Sequence, residues 1–202
     1  MINGEGGSYT LKIENSSFWE ISNIEIVNFG TVEENMSLEE WEKNNSVYWC
    51  NGKSLPPLEE SRNDKFGILV TAEDMGEAAG FYFINLKVHG VNGNIKTKDN
   101  GGIFFEITGS SVPTWFSDVR IENCHIYDVD RTGISNQSSW SLRSRTDNDG
   151  WYPSKNIIIR KNLFERTGAN ALIVRVADSP LIEHNLFRYC AIKESGNACF
   201  SF

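Results

Sequence analysis

Ile121-Glu-Asn-Cys-His-Ile126, Ile159-Arg-Lys-Asn-Leu-Phe164 and Ile182-Glu-His-Asn-Leu-Phe187 are three copies of one pattern. Two earlier stretches share it: Ile21-Ser-Asn-Ile-Glu-Ile26 and Phe83-Ile-Asn-Leu-Lys-Val88. Each copy opens on an apolar residue and carries another five positions on. Between them lies an asparagine: Asn23, Asn85, Asn123, Asn162 or Asn185. In an unbroken strand those two apolar positions would face opposite sides. A turn between them returns both to the inside. Asparagine suits that turn because it tolerates left-handed backbone angles and bonds its own backbone. Asparagines stacked from one repeat to the next can also bond one another.

A second element recurs: a short apolar strand, usually opened by a small residue. Its members are Gly67-Ile-Leu-Val70, Gly102-Ile-Phe-Phe-Glu-Ile107, Gly133-Ile-Ser135, Ala171-Leu-Ile-Val-Arg-Val176 and Ala198-Cys-Phe-Ser-Phe202, with Leu11-Lys-Ile13 as the earliest. Each repeat therefore holds three short strands separated by turns. The opening apolar residues fall at 21, 83, 121, 159 and 182, so the last step is 23 residues and the two before it are 38. Sequence repeats of about 20–50 residues mark stacked architectures. The pattern predicts an all-β, right-handed parallel β-helix of about five to six coils in one domain, with excursions at 31–65 and 137–155. The coil positions Ile21, Val88, Ile121, Ile126, Ile159, Phe164, Ile182 and Phe187 are expected inside. A leucine-rich repeat would need a regular leucine frame. A sandwich would need clean hairpins, and Asn51-Gly52, Asn92-Gly93 and Asn100-Gly101 do not join alternating strands.

The chain has 202 residues and a net charge of −8, which argues against a nucleic-acid partner. No apolar run approaches the roughly 18–20 residues that span a bilayer, so no membrane partner is expected. Met1-Ile-Asn-Gly-Glu-Gly-Gly7 has neither the basic start nor the apolar stretch of a signal peptide. Of four cysteines, none forms a CxxC pair. Cys124, Cys190 and Cys199 read as small buried hydrophobes, and no metal site is expected. The C-terminal strand Ala198–Phe202 lacks a polar cap, so the chain reads as a piece of a longer β-helix. Its open coil would favour end-to-end self-association.

The excursions differ in character. In 31–65, Ser37 and Glu40 make a capping-box pattern for a short acidic helix, and Leu55-Pro-Pro-Leu58 marks an extended loop. That excursion reads as a solvated insertion. Residues 137–155 combine Trp140, Trp151 and Tyr152 with Arg143, Arg145, Asp147 and Asp149. Aromatic faces beside bidentate donors and carboxylates suit a sugar ring. The plainer reading is a loop whose rings pack on the flank and whose charges pair.

These repeats and their asparagines resemble the right-handed parallel β-helix proteins of the pectate-lyase-like superfamily, over residues 8–202. Phe18–Gly30 and Ile121–Gly133 look like bacterial carbohydrate-active members. The resemblance implies an extracellular or periplasmic parent and a glycan cleft along the sheet of Gly-Ile strands. With Ile103, Phe105 and Ile107 inward, one outward column holds Thr71, Glu106, Gln137, Arg175 and Phe202. A second holds Leu69, Phe104, Ser135, Ile173 and Phe200. The adjoining turn supplies Asp128, Asp130 and Arg131. The polygalacturonase motifs Asn-Thr-Asp, Asp-Asp, Gly-His-Gly and Arg-Ile-Lys are absent, as is the aspartate cluster of Ca²⁺-dependent pectate lyases.

Two functions follow. One is glycan cleavage of a polysaccharide or oligosaccharide, by hydrolysis or by a lyase. Glu106, Asp128 and Asp130 are the catalytic candidates, with Asp147 and Asp149 as further available carboxylates. Arg131, Trp140, Arg143, Arg145, Asp147, Asp149, Trp151 and Arg175 are the binding candidates. A hydrolase needs two carboxylates flanking the scissile bond. A lyase needs a base and a neutralising cation. No cofactor is expected for hydrolysis, and Ca²⁺ enters only with a lyase. The other function is a non-catalytic carbohydrate-binding or adhesin-like β-helix.

Overall fold

A computed structural model of the chain describes residues 1–28, 64–94, 97–143, 150–193 and 199–201. The first turn follows the short β1 (Ile2–Asn3) and comprises β2 (Tyr9–Glu14), β3 (Trp19–Ser22) and β4 (Glu25–Asn28). The second holds β5 (Phe66–Glu73), β6 (Glu77–Ile84) and β7 (Lys87–Val91). The third holds β8 (Gly101–Thr108), β9 (Trp115–Glu122) and β10 (His125–Val129). The fourth holds β11 (Thr132–Ser138), β12 (Ser154–Arg160) and β13 (Leu163–Thr167). In the fifth, β14 (Leu172–Ile173) leads to β15 (Ala177–Asp178), β16 (Leu181–Glu183) and β17 (Leu186–Arg188), and β18 (Phe200–Ser201) opens a sixth.

Like strands of successive turns stack into three sheets. Sheet A runs β1-β4-β7-β10-β13-β17, sheet B runs β18-β14-β11-β8-β5-β2, and sheet C runs β15-β12-β9-β6-β3, with β16 also on β12. Every inter-turn pairing between these strands is parallel, for example Ile126 on Val88 and Phe164, or Ile103 on Ile68 and Ile134. This is the expected parallel β-helix.

The repeated pattern spans the corner between sheets C and A. Asn23, Asn85 and Asn123 take left-handed φ angles of 59°, 55° and 55°. In the last two copies the left-handed residue is instead Lys161 or His184, at 57° and 55°. Asn162 and Asn185 sit one residue later and do a different job. The Asn162 side chain donates to Ile121 O at 2.8 Å and to Asn185 Oδ1 at 3.0 Å, and accepts from Cys124 N–H at 2.9 Å. Asn185 in turn donates to Ile159 O at 2.8 Å. These two form a ladder behind the turn, whereas Asn85 bonds Asn23 at 2.7 Å on its exposed side.

Small residues open the sheet B strands because the corner from sheet A leaves no room. A Cβ on Gly67 would meet Gly102 O at 2.7 Å, one on Gly102 would meet Gly133 O at 2.5 Å, and one on Gly133 would meet Ala171 O at 2.4 Å.

The lumen is filled by the inward residues of all three sheets. Val88, Ile121, Ile126, Ile159 and Phe164 are buried as expected, while Ile21, Ile182 and Phe187 are partly buried in the outer turns. At the centre Phe81 meets Phe116 edge-on at 5.5 Å and Phe105 at 6.3 Å. Phe81→Ala should lower stability by about 3–5 kcal/mol, read by urea denaturation, because two rings, Phe105 and Phe116, lose contacts around a cavity that cannot collapse.

The excursion expected at 137–155 is shorter, since Gln137 and Ser138 belong to β11 and Ser154 and Lys155 to β12. Almost all of the 31–65 excursion, including Ser37, Glu40 and Leu55–Leu58, lies outside the described residues. A third excursion, between Val91 and Gly101, falls within the 38-residue step from Phe83 to Ile121.

Candidate functional site

The outer face of sheet B carries the polar row expected there. Register places Glu14 beside Thr71, Thr71 beside Glu106, and Glu106 beside Gln137. Gln137 Nε2 donates to Glu106 Oε1 at 2.6 Å. Arg175 continues the row in the fifth turn, where its backbone N–H donates to Asn136 Oδ1 at 2.7 Å. Lys12 stands at the foot of this face. Its ammonium is held above the usual lysine range by its hydrogen bond with Glu14, and Glu106 adds to that field.

The neighbouring outward column departs from expectation. Leu69, Phe104, Ser135 and Ile173 are buried rather than exposed, although the three apolar ones stand outside the luminal cluster. Phe66 stacks on Phe104 with ring centroids 5.3 Å apart. Part of this face is therefore an apolar bed, and the polar row flanks it. Phe202 lies outside the described residues.

The 92–100 loop adds a carboxylate that sequence reasoning missed. Asn100 ties the loop together, donating to Asn94 O at 2.7 Å and to Thr97 O at 3.0 Å. Arg131 Nε holds it from below, donating to Thr97 O at 2.8 Å. Asp99 thereby comes to lie 4.0 Å from the Arg175 guanidinium. The two Asn-Gly pairs bounding this loop were its only sequence signal.

Other expected residues go elsewhere. Asp128 belongs to sheet A, where it is buried and receives both Nε and Nη2 of Arg166, at 2.6 and 2.8 Å. Asp130 is buried in an ion pair with Lys193. Neither is brought to the Glu106 row. Arg131 reaches it only through the loop it anchors.

The 139–153 loop leaves the corner between sheets B and C two residues past Gln137. Trp140 packs partly on the core and meets Tyr152 edge-on at 5.5 Å, and Tyr152 stacks near Trp115 at 6.1 Å. Arg143 lies over the Trp151 ring at 5.4 Å, and Ser141 bridges Trp151 antiparallel. Arg145, Asp147 and Asp149 lie outside the described residues. Among the described residues no hydrogen bond, ion pair or ring contact joins the aromatic cluster to Glu106, Gln137 or Arg175.

The outer face of sheet A is a saturated network. Tyr127 is stacked between His89 and His125, at 4.3 and 4.2 Å, and His125 faces Glu165 at 3.2 Å. Burial holds the His125 imidazole below the usual histidine range. A cavity of about 40 Å³ lies near Phe105, Ile134, Ile157 and Val174; its walls are mainly apolar, with Ser135, Asn136 and Ser154 among them, and it is too small for a sugar ring. Among the described residues no group of three or more His, Cys, Asp or Glu side chains could hold a metal ion. No helix among them is long and apolar enough to cross a membrane.

A parallel β-helix with a charged row beside an apolar bed is the setting to which the comparisons add. No protein-family model matches the chain. A curated lacto-N-biosidase of Bifidobacterium longum subsp. longum is 29% identical over 204 residues, which takes in 89% of this chain and 13% of that protein. Two crystal structures of GH136 lacto-N-biosidase from Eubacterium ramulus, a selenomethionine derivative and the native protein, match with TM-scores of 0.75 and 0.71 at 19% and 21% identity. They cover 95% and 92% of this chain, which spans 33% and 29% of theirs. That likeness shows the fold. The relatives are carbohydrate-active enzymes, and this chain spans a minor part of each.

Proposed function

We propose that this chain is the β-helix of a glycan-cleaving enzyme of the glycoside-hydrolase type, outside the cytoplasm, with the outer face of sheet B as its substrate surface. The relative that carries the reading is the lacto-N-biosidase whose similarity runs through 89% of the chain. Its name suggests an oligosaccharide with a lacto-N-biosyl group as substrate. The pectate-lyase-like resemblance is retained as a broader affiliation of the same fold.

Hydrolysis of a glycosidic bond needs one carboxyl group to protonate the leaving oxygen and a second to attack or to activate water. Glu106 and Asp99 are the carboxylates best placed on this surface. Gln137 orients Glu106, and the Arg175 guanidinium lies 4.0 Å from Asp99. Asp128 and Asp130 are set aside because their charges are already committed to Arg166 and Lys193.

The test is Glu106→Gln and Asp99→Asn in an active protein that contains this β-helix, assayed on lacto-N-biosyl-terminated, neutral and acidic oligosaccharides. Each variant should lose turnover about 100-fold with little change in KM. Full activity in both would move the site off this face. Sugar binding with no turnover in the unaltered protein would favour the binding-only reading.

A further inference from the structure

Among the described residues the fifth turn is thinly paired. β14 and β18 are 2 residues each and meet only as Leu172 on Phe200 and Ile173 on Ser201. Two free thiols stand where this pairing begins. Cys190 follows β17, half-buried against the core, its Sγ directed at Arg188 O at 3.5 Å and Phe164 O at 3.9 Å. Cys199 precedes β18 and is exposed, which corrects its reading as a buried hydrophobe. Its carbonyl accepts from both Ala171 N–H and Leu172 N–H at 3.1 Å. Ala191 N–H, next to Cys190, donates to Ala169 O at 2.9 Å. Both cysteines are therefore fastened to the same short corner, residues 167–172, which brings the Cys199 thiol close enough to act on that of Cys190. Cys124 is far less available, since it is buried under Phe83 and Glu122 carbonyls.

We propose that Cys190 and Cys199 are a disulfide-forming pair that staples the start of β18 to the end of the fifth turn. The oxidant is a low-molecular-weight or protein disulfide acting by thiol–disulfide exchange. The exposed Cys199 thiolate attacks one oxidant sulfur. The oxidant S–S bond breaks, one half leaves as a thiol, and the other half stays on Cys199 as a mixed disulfide. The Cys190 thiolate then attacks the Cys199 sulfur, and the second half leaves as a thiol. Two cysteine thiols become one disulfide, the oxidant becomes two thiols, and the cysteine protons end on the leaving groups.

The order of attack follows from the surroundings. Burial pushes the Cys190 thiol up to about 11, so it is a poor first nucleophile. The mixed disulfide holds Cys199 against it, and closure of so short a ring has a high effective concentration. Closure should therefore limit the rate and speed up about tenfold per pH unit in the neutral to mildly alkaline range, following the thiolate fraction. Where inter-turn hydrogen bonds are few, a covalent tie that restricts the opened ensemble has more to add.

The experiment uses this chain, equilibrated with mixed oxidised and reduced glutathione, quenched in acid, alkylated and digested with trypsin without reduction. Cleavage after Arg188 and Lys193 puts Cys190 and Cys199 on separate peptides. The expected result is residues 189–193 joined to residues 194–202, with Cys124 alkylated only after unfolding. Cys190→Ser and Cys199→Ser should each abolish that product. Oxidation should also slow exchange of the Ala171 and Leu172 amides roughly tenfold in the unaltered chain and not in either variant. Separate alkylation of both cysteines, glutathione adducts that never resolve, or a link from either to Cys50 would overturn the proposal.

Discussion

Gly133→Ala should lower stability by about 3 kcal/mol, at the upper end for an overpacked site, and should separate the fifth turn from the fourth. The added methyl carbon would lie 2.4 Å from Ala171 O and 3.1 Å from a Phe164 ring carbon. The first contact cannot be relieved by a rotamer change, because the obstacle is backbone. Moving that carbonyl would stretch the Ile134 N–H to Ala171 O bond, now 2.9 Å. Gly133→Val should be worse, as its branches would press on Phe164, whose ring also stacks on Phe187 at 4.9 Å. Ala171→Gly is the matched control and should cost only about 0.5–1 kcal/mol, the ordinary backbone term. Equal losses in the two variants, measured by chemical denaturation, would remove the steric argument for the glycine column.

Asn162→Ala should cost about 3–4 kcal/mol, because one truncation leaves several buried groups unpaired, each worth about 1–3 kcal/mol. Cys124 N–H would lose its acceptor, and Ile121 O and Asn185 Oδ1 would lose a donor. The side chain is 2% exposed, so water cannot substitute without opening the corner. The check is amide exchange at Cys124, which should lose protection ahead of Cys124's neighbours in β10. Asn123→Ala, at the exposed left-handed position, should be milder and act through backbone strain instead. If Asn123→Ala proved the more damaging, the division of labour between the two asparagine positions would be wrong.

That division shows how the sequence was legible and where it was not. Position-specific recurrence fixed the three-strand turn, the inward residues and the Glu106–Gln137 register, because stacking forces equivalent positions into columns. The recurrence was read as a single asparagine position, although the asparagine is the third residue of Ile121–Ile126 and the fourth of Ile159–Phe164, and that one-residue offset is what separates the left-handed corner from the ladder behind it. Alternation correctly turned Leu69, Phe104 and Ile173 away from the lumen. It could not show that they are buried there, since burial outside a sheet depends on what packs over it. Asp128 and Asp130 looked available because their partners, Arg166 and Lys193, lie 38 and 63 residues further along. Asp99 was missed for the opposite reason. Its approach to Arg175 depends on a loop held by Arg131, a contact that crosses turns and leaves no periodic trace.

The stacking of turns also decides how the molecule would respond to a pull on its ends. Parallel pairing runs between whole turns, so tension would peel one turn from the next instead of shearing the stack at once. Each rupture would release the residues of one turn, 38 between Cys124 and Asn162 but 23 between Asn162 and Asn185. At roughly 3.5 Å per extended residue, those turns would lengthen the chain by about 130 Å and about 80 Å. A single-molecule force trace should therefore show unequal teeth, the short one belonging to the residues between Asn162 and Asn185.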